Sequence, residues 1–78
     1  MVDLLLLKST IDERGVKIVS IAEKMEISRE GLYKKLSGDA EFKASEIEKI
    51  TDALRLSKSE RDSIFFAKEV ERNSTEED

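Results

Sequence analysis

The side chains that carry most catalytic and metal chemistry are missing or unarranged in this chain. Its 78 residues include no histidine and no cysteine, which removes an imidazole base, a His-based zinc site, thiolate ligands and disulfides. Carboxylates are plentiful, at 18 Asp plus Glu. None falls in a paired-acid, nucleophile, calcium-loop or glycine-rich phosphate-loop pattern. Neither an enzyme nor a metal or other cofactor is therefore expected. What remains is recognition by charge. Residues 15–37 hold Lys17, Lys24, Arg29, Lys34 and Lys35 against Glu23, Glu26 and Glu30, a local cationic excess in a chain of formal net charge −4. Residues 58–78 hold four bases against seven acids, so the acid excess lies mainly elsewhere. Screening acts over roughly 8–10 Å at physiological salt, which makes the local balance count for more than the total.

Those cations need elements to hold them, and the composition points to helices. Proline is absent and glycine occurs only at Gly15, Gly31 and Gly38, too few turn formers for an all-β fold. Charged residues of both signs make up 41% of the chain, as on solvated helix faces. The longest apolar run, Leu4 to Leu7, falls far short of a membrane span. Asp3 and Asp12 flank it with only Lys8 between them, which argues against a signal peptide, so no membrane association and a cytoplasmic location are expected.

The patterning predicts a compact all-α bundle of five helices. The first runs from about Asp3 to Arg14, with Asp3 as N-cap and Gly15 as the left-handed stop. Leu4, Leu7 and Ile11 share its buried face, widened by Leu5 or Leu6. The second, Ile18 to Met25, carries Ile18, Ile21, Ala22 and Met25 in one stripe behind a weak cap at Lys17. The third, Arg29 to Leu36, starts behind Ser28 and faces Leu32 and Leu36 inward. After a loop from Asp39 to Lys43, the pattern Ser45-Glu46-Ile47-Glu48 reads as a capping box for the fourth helix, which runs to about Leu54 and buries Ile47, Ile50 and Leu54. A second box, Ser57-Lys58-Ser59-Glu60, opens the fifth, with Ile64, Phe65 and Val70. Residues 1–72 form one domain in this reading, and 73–78 a disordered acidic tail.

Between the second and third helices the residue order is specific. Ala22 allows close approach, a sharp turn falls at Glu26, Ile27 plugs the core, and Leu32 and Leu36 anchor the next helix. Two helices ordered this way cross steeply and leave the outer face of the second free for a major groove. The segment Ile21 to Leu36 resembles the helix-turn-helix of the Cro and phage-repressor family. The continuation through Ser37-Gly38 and Glu41 to Ile47, with Ile64-Phe65-Phe66, is similar to small regulators of phages and prophages of Gram-positive bacteria. The likeness covers about residues 4–67. Two positions depart from it. Glu26 stands where a glycine is usual at the turn, and Lys17-Ile18 where a Thr-Gln pair clamps a phosphate. Lys17 supplies charge there, but Ile18 cannot hydrogen-bond.

The resemblance implies a sequence-specific double-stranded DNA-binding regulator, a repressor in the simplest case, acting on a pseudo-palindromic operator. Its base-facing positions map to Ser28, Arg29, Glu30, Tyr33 and Lys34. A guanidinium can donate twice to guanine, and a carboxylate can accept from cytosine. Lys17, Ser37 and Lys43 map to phosphate contacts, which position rather than specify. Lys35 is left between a backbone contact and plain surface. Phe65 and Phe66 are adjacent and cannot both enter the core, so either the last helix makes a homodimer contact or the second ring lies against the first helix. No small-molecule effector is expected. The low net charge and Ile18 keep a rival open, a protein-interaction module (anti-repressor or adaptor) that retains the fold without DNA.

Overall fold

The computed structural model describes residues 2–66. Among them every regular element is helical: α1 (Leu4–Arg14), α2 (Ile18–Met25), α3 (Arg29–Ser37), α4 (Ala44–Leu54) and α5 (Lys58–Phe65). None is long and apolar enough to cross a membrane. Val70 and the segment 73–78 lie outside the described residues.

Each helix of two to three turns is marginal alone, so its ends and its buried face must hold it. The carboxylate of Asp3 accepts from the Leu6 N–H at 3.0 Å and starts α1. Ser28 Oγ accepts from Gly31 N at 3.0 Å and starts α3. At α5 the box is complete: Ser57 Oγ accepts from Glu60 N at 3.1 Å, and Glu60 accepts from Ser57 N at 2.9 Å. Lys17 offers no side-chain bond to α2, as expected.

The start of α4 corrects the sequence reading. The N-cap is Lys43 rather than Ser45, and Glu46 rather than Glu48 reaches back, accepting from the Lys43 N–H at 2.9 Å. Lysine has no acceptor to return the bond, so only half of a capping box forms. The shift has a tertiary cause. Glu46 is buried and faces the Lys35 ammonium at 3.0 Å, a partner that local spacing does not reveal.

Three helices end in the same way. After α2, the Glu26 N–H donates to Glu23 O and the Ile27 N–H to Ala22 O. After α3, Gly38 N donates to Lys35 O and Asp39 N to Lys34 O; after α4, Arg55 N donates to Asp52 O and Leu56 N to Thr51 O. This is the Schellman arrangement, which needs a left-handed residue at its corner. Glycine fills it only at Gly38; Glu26 (φ 62°) and Arg55 (φ 56°) adopt it with a β-carbon. In each of those two, the next residue is an aliphatic that packs inward, Ile27 in part and Leu56 fully.

The core joins Leu7 and Ile11 of α1, Ile21, Ala22 and Met25 of α2, Leu32 and Leu36 of α3, Ile50 and Leu54 of α4, Leu56, and Ile64 and Phe65 of α5. Ile27 and Ile47, expected in it, are only partly buried at its edge. The widening of the α1 face by Leu5 or Leu6 does not occur. Leu5 is 81% exposed and Leu6 38%. Thr10 is buried in their stead, its hydroxyl donating to Leu6 O at 2.8 Å so that no polar group is stranded. Phe65 enters the core and meets Phe42 edge-on at 5.4 Å, while Phe66 stays partly exposed.

One side chain ties the ends of the fold together. Arg14 Nη1 donates to Leu54 O at 2.8 Å and to Arg55 O at 3.0 Å, and Nη2 pairs with Glu60. The last turn of α4 has no base of its own. Arg14 thus brings it the positive charge that its carbonyls and dipole favour. Arg14→Ala is expected to cost about 1–2 kcal/mol in urea unfolding, since charged hydrogen bonds are lost from a partly exposed group. Glu26→Gly is expected to raise the unfolding free energy by about 0.5–1 kcal/mol, read as a higher urea midpoint, because it removes a β-carbon from a left-handed corner.

Candidate nucleic-acid interface

Burying Leu32 and Leu36 fixes how α3 is rolled. Glu30, Tyr33, Lys34 and Ser37 fall outside that buried face, while Ser28 and Arg29, four and three residues before Leu32, lie open at the N-terminal end of the helix; all six are exposed. Tyr33, at 56% exposure, lies outside the core and displays its ring. The capping bond of Ser28 occupies its Oγ as an acceptor and leaves its proton free to donate outward. Each residue mapped to base contact therefore lies on one open strip.

The residues mapped to phosphate contact sit differently. Lys17, at the start of α2, shares a groove of about 680 Å³ with Tyr33 and Ser37. Half-buried Ile18 lines the same groove. Lys43, exposed at the start of α4, has its backbone N–H taken by Glu46 but its ammonium open. Ser37 Oγ lies 3.0 Å from Lys34 O and 3.3 Å from Asp39 Oδ2, so its proton already has two acceptors within the chain. Lys8 of α1 lines the groove beside Lys17. Sequence reasoning missed it, because only the packing of α1 against α3 brings it there.

Charge pairing divides the molecule. Arg14 pairs with Glu60, Lys35 with Glu46, Lys49 with Glu26 and Arg61 with Asp62. Among the described residues, Lys8, Lys17, Arg29, Lys34 and Lys43 have no carboxylate within ion-pairing distance. Arg29 and Lys34 thus keep their donors available on the outer strip, with Glu30 as the acid within it. Lys35 turns away from that strip. Its ammonium meets Glu46 and donates to Glu41 O at 3.0 Å, which locks the end of α3 to α4.

Glu46 shows how tightly this lock is made. Burial opposes its ionisation, but the Lys43 backbone N–H and the Lys35 ammonium outweigh that and hold the carboxyl below its ordinary range. Glu60 is also lowered, by the Ser57 backbone N–H and then by Arg14.

No protein-family model, curated protein or solved structure matches this chain. Among the described residues no group of acids could hold a metal ion. Recognition through an exposed cationic helix is the chemistry that this arrangement offers.

A carboxyl whose folded value is lowered adds stability above its unfolded value, near 4.3, and loses it as the pH falls through the folded one. Urea midpoints should therefore be level near neutrality and fall below about pH 4.3, with Glu46 and Glu60 both contributing. Glu46→Gln keeps an acceptor for Lys43 N but strips Lys35 of its counter-charge. It should cost about 1–2 kcal/mol at pH 7 and flatten the acid slope, as read from a midpoint-against-pH series.

Proposed function

We propose that this chain binds double-stranded DNA as a transcription regulator of the phage-repressor helix-turn-helix type, with α3 lying in the major groove. The observation that carries the reading is the open strip from Ser28 to Ser37, with Arg29 and Lys34 unpaired among the described residues, beside an exposed Tyr33. An α-helix with its side chains is about 10–12 Å across and the major groove about 12 Å wide, so α3 and the groove agree in scale.

In this reading Arg29 donates its fork to a guanine and Lys34 to a base edge or phosphate. Glu30 accepts from a cytosine amine, Ser28 donates to either, and Tyr33 packs on a thymine methyl. Lys17 and Lys43, at the two flanking helix starts, neutralise phosphates, and Lys8 adds a third such charge. Ser37 donates to a phosphate only by turning its proton away from both Lys34 O and Asp39. Ile18 packs against sugar rather than clamping. A homodimer formed through the last helix, where Phe66 is left partly exposed, places two α3 helices about 34 Å apart on a pseudo-palindromic operator. Occupying an operator excludes polymerase, so repression in the cytoplasm is the proposed outcome.

A second reading, a protein-interaction module of anti-repressor or adaptor kind, is favoured by the net charge of −4 and by apolar Ile18 at the groove.

Fluorescence anisotropy with random duplex, then with duplex selected from a random pool, separates the two. DNA binding is expected at low salt, falling steeply as salt rises. Arg29→Ala with Lys34→Ala should abolish specific binding and reduce the salt slope by about one to two. The unfolding free energy should stay within about 0.5 kcal/mol of wild type, since both residues are exposed and have no ion pair among the described residues. A wild-type chain that binds no duplex at about 20 mM salt, where phosphate contacts are strongest, would leave the interaction module standing.

A further inference from the structure

We infer that the acidic segment 73–78 of this same chain occupies the cationic face around α3 when no nucleic acid is bound. The inference rests on the same face as the DNA reading and concerns its regulation. It does not require that DNA bind.

Three observations converge on this occupant. The face presents Arg29 and Lys34 without ion-pair partners, beside the groove that holds Lys8 and Lys17, likewise unpaired among the described residues. The acids nearest Arg29 and Lys34 in sequence are Glu26, engaged with Lys49; Glu30, on α3 itself; and Asp39, beside Ser37; among the described residues Asp12 is the one acid lining the groove with Lys8 and Lys17. The second observation is composition. Residues 73–78 read Asn-Ser-Thr-Glu-Glu-Asp, three acids and no base. They offer carboxylates where a duplex offers phosphates. The third is connection. Phe66 edges a groove that Lys35 and Gly38 also line, so the chain leaves α5 beside the C-terminal end of α3. Glu76 follows ten residues later. Even with 67–72 continuing the helix at about 1.5 Å per residue and four extended residues after them, Glu76 lies up to roughly 22 Å from Phe66, more than the about 13 Å of α3, so Glu76 to Asp78 can reach Arg29 and Lys34.

An intramolecular anion competes at an effective concentration set by its tether, and it weakens as salt screens it. It lowers non-specific binding, which depends on charge alone, more than specific binding, which adds base contacts. A protein of net charge −4 with a cationic reading face is then a filter against random duplex.

The test uses the full chain with Glu76→Gln, Glu77→Gln and Asp78→Asn. A control carries Glu13→Gln, Glu48→Gln and Asp52→Asn, exposed acids with no hydrogen bond or ion pair among the described residues. Each variant changes the net charge by the same amount. Without DNA, amide NMR spectra at about 20 mM salt should differ between wild type and the tail variant at Lys17, Arg29, Tyr33 and Lys34. The differences should vanish at about 300 mM salt and be absent at those positions in the control. Differences confined to Lys24, Arg55 or Lys58, or dependent on protein concentration as for a second copy, overturn the inference.

The affinity for random duplex at low salt should rise on the order of three- to tenfold in the tail variant, and less in the control. Equal rises in the two variants also overturn it. If the NMR differences appear but no variant binds duplex, the intramolecular contact stands and the DNA reading fails. If duplex binds and the tail variant changes nothing on α3, the DNA reading stands and this inference fails.

Discussion

Burying the stripe Ile21, Ala22 and Met25 on an eight-residue helix is the constraint from which the rest of the molecule follows. Such a helix cannot persist by its own hydrogen bonds. It must be covered by α4 on one side and α3 on another, and those are its partners. Covering it from two directions demands a sharp reversal after Met25. The left-handed corner at Glu26 supplies this, held by the bond from Ile27 N to Ala22 O. Once Leu32 and Leu36 follow that corner into the core, the roll of α3 is set. Its outward strip is the remainder of that burial, so any property of the strip is a property of the core as well.

The electrostatics follow the same division. Each of Arg14 and Lys35 meets a carboxylate and at least one carbonyl, and together they tie α1 to α4 and α5, and α3 to α4. A cation that braces helices in this way cannot also serve an outside ligand without releasing its partner, at the cost of a charge left uncompensated. Lys34 and Lys35 are neighbours in sequence with opposite uses, because a helix turns about 100° per residue. One faces water and the other Glu46.

Much of this was legible from residue order alone. Asp3, Ser28 and the Ser57–Glu60 box announce helix starts through short side chains that accept from backbone N–H groups a few residues on. Gly15 and Gly38 announce stops through their freedom at positive φ. The strip on α3 was legible because two leucines four apart define one face and so define its opposite. The capping of α4 was not, since Ser45-Glu46-Ile47-Glu48 matches the local pattern but Glu46 answers to Lys35 across the interface. The end of α4 at Leu54 was legible, but not the left-handed corner at Arg55, where the next residue, Leu56, is buried. Thr10 replaced Leu5 and Leu6 in the core for a related reason: periodicity gives a face to within a residue or two, and the neighbouring helix chooses which residues fill it.

The sequence by itself determined the helical class, the five segments, the main buried positions of each and the cationic character of the stretch from Lys17 to Lys35. These follow from interactions within a turn or two, which spacing encodes. Only the tertiary structure decided which cations are bracing and which are open, and that Lys8 joins Lys17 and Tyr33 around one groove. Those outcomes depend on distances between helices far apart in the chain. Such distances are fixed by packing volume, and no local pattern carries them.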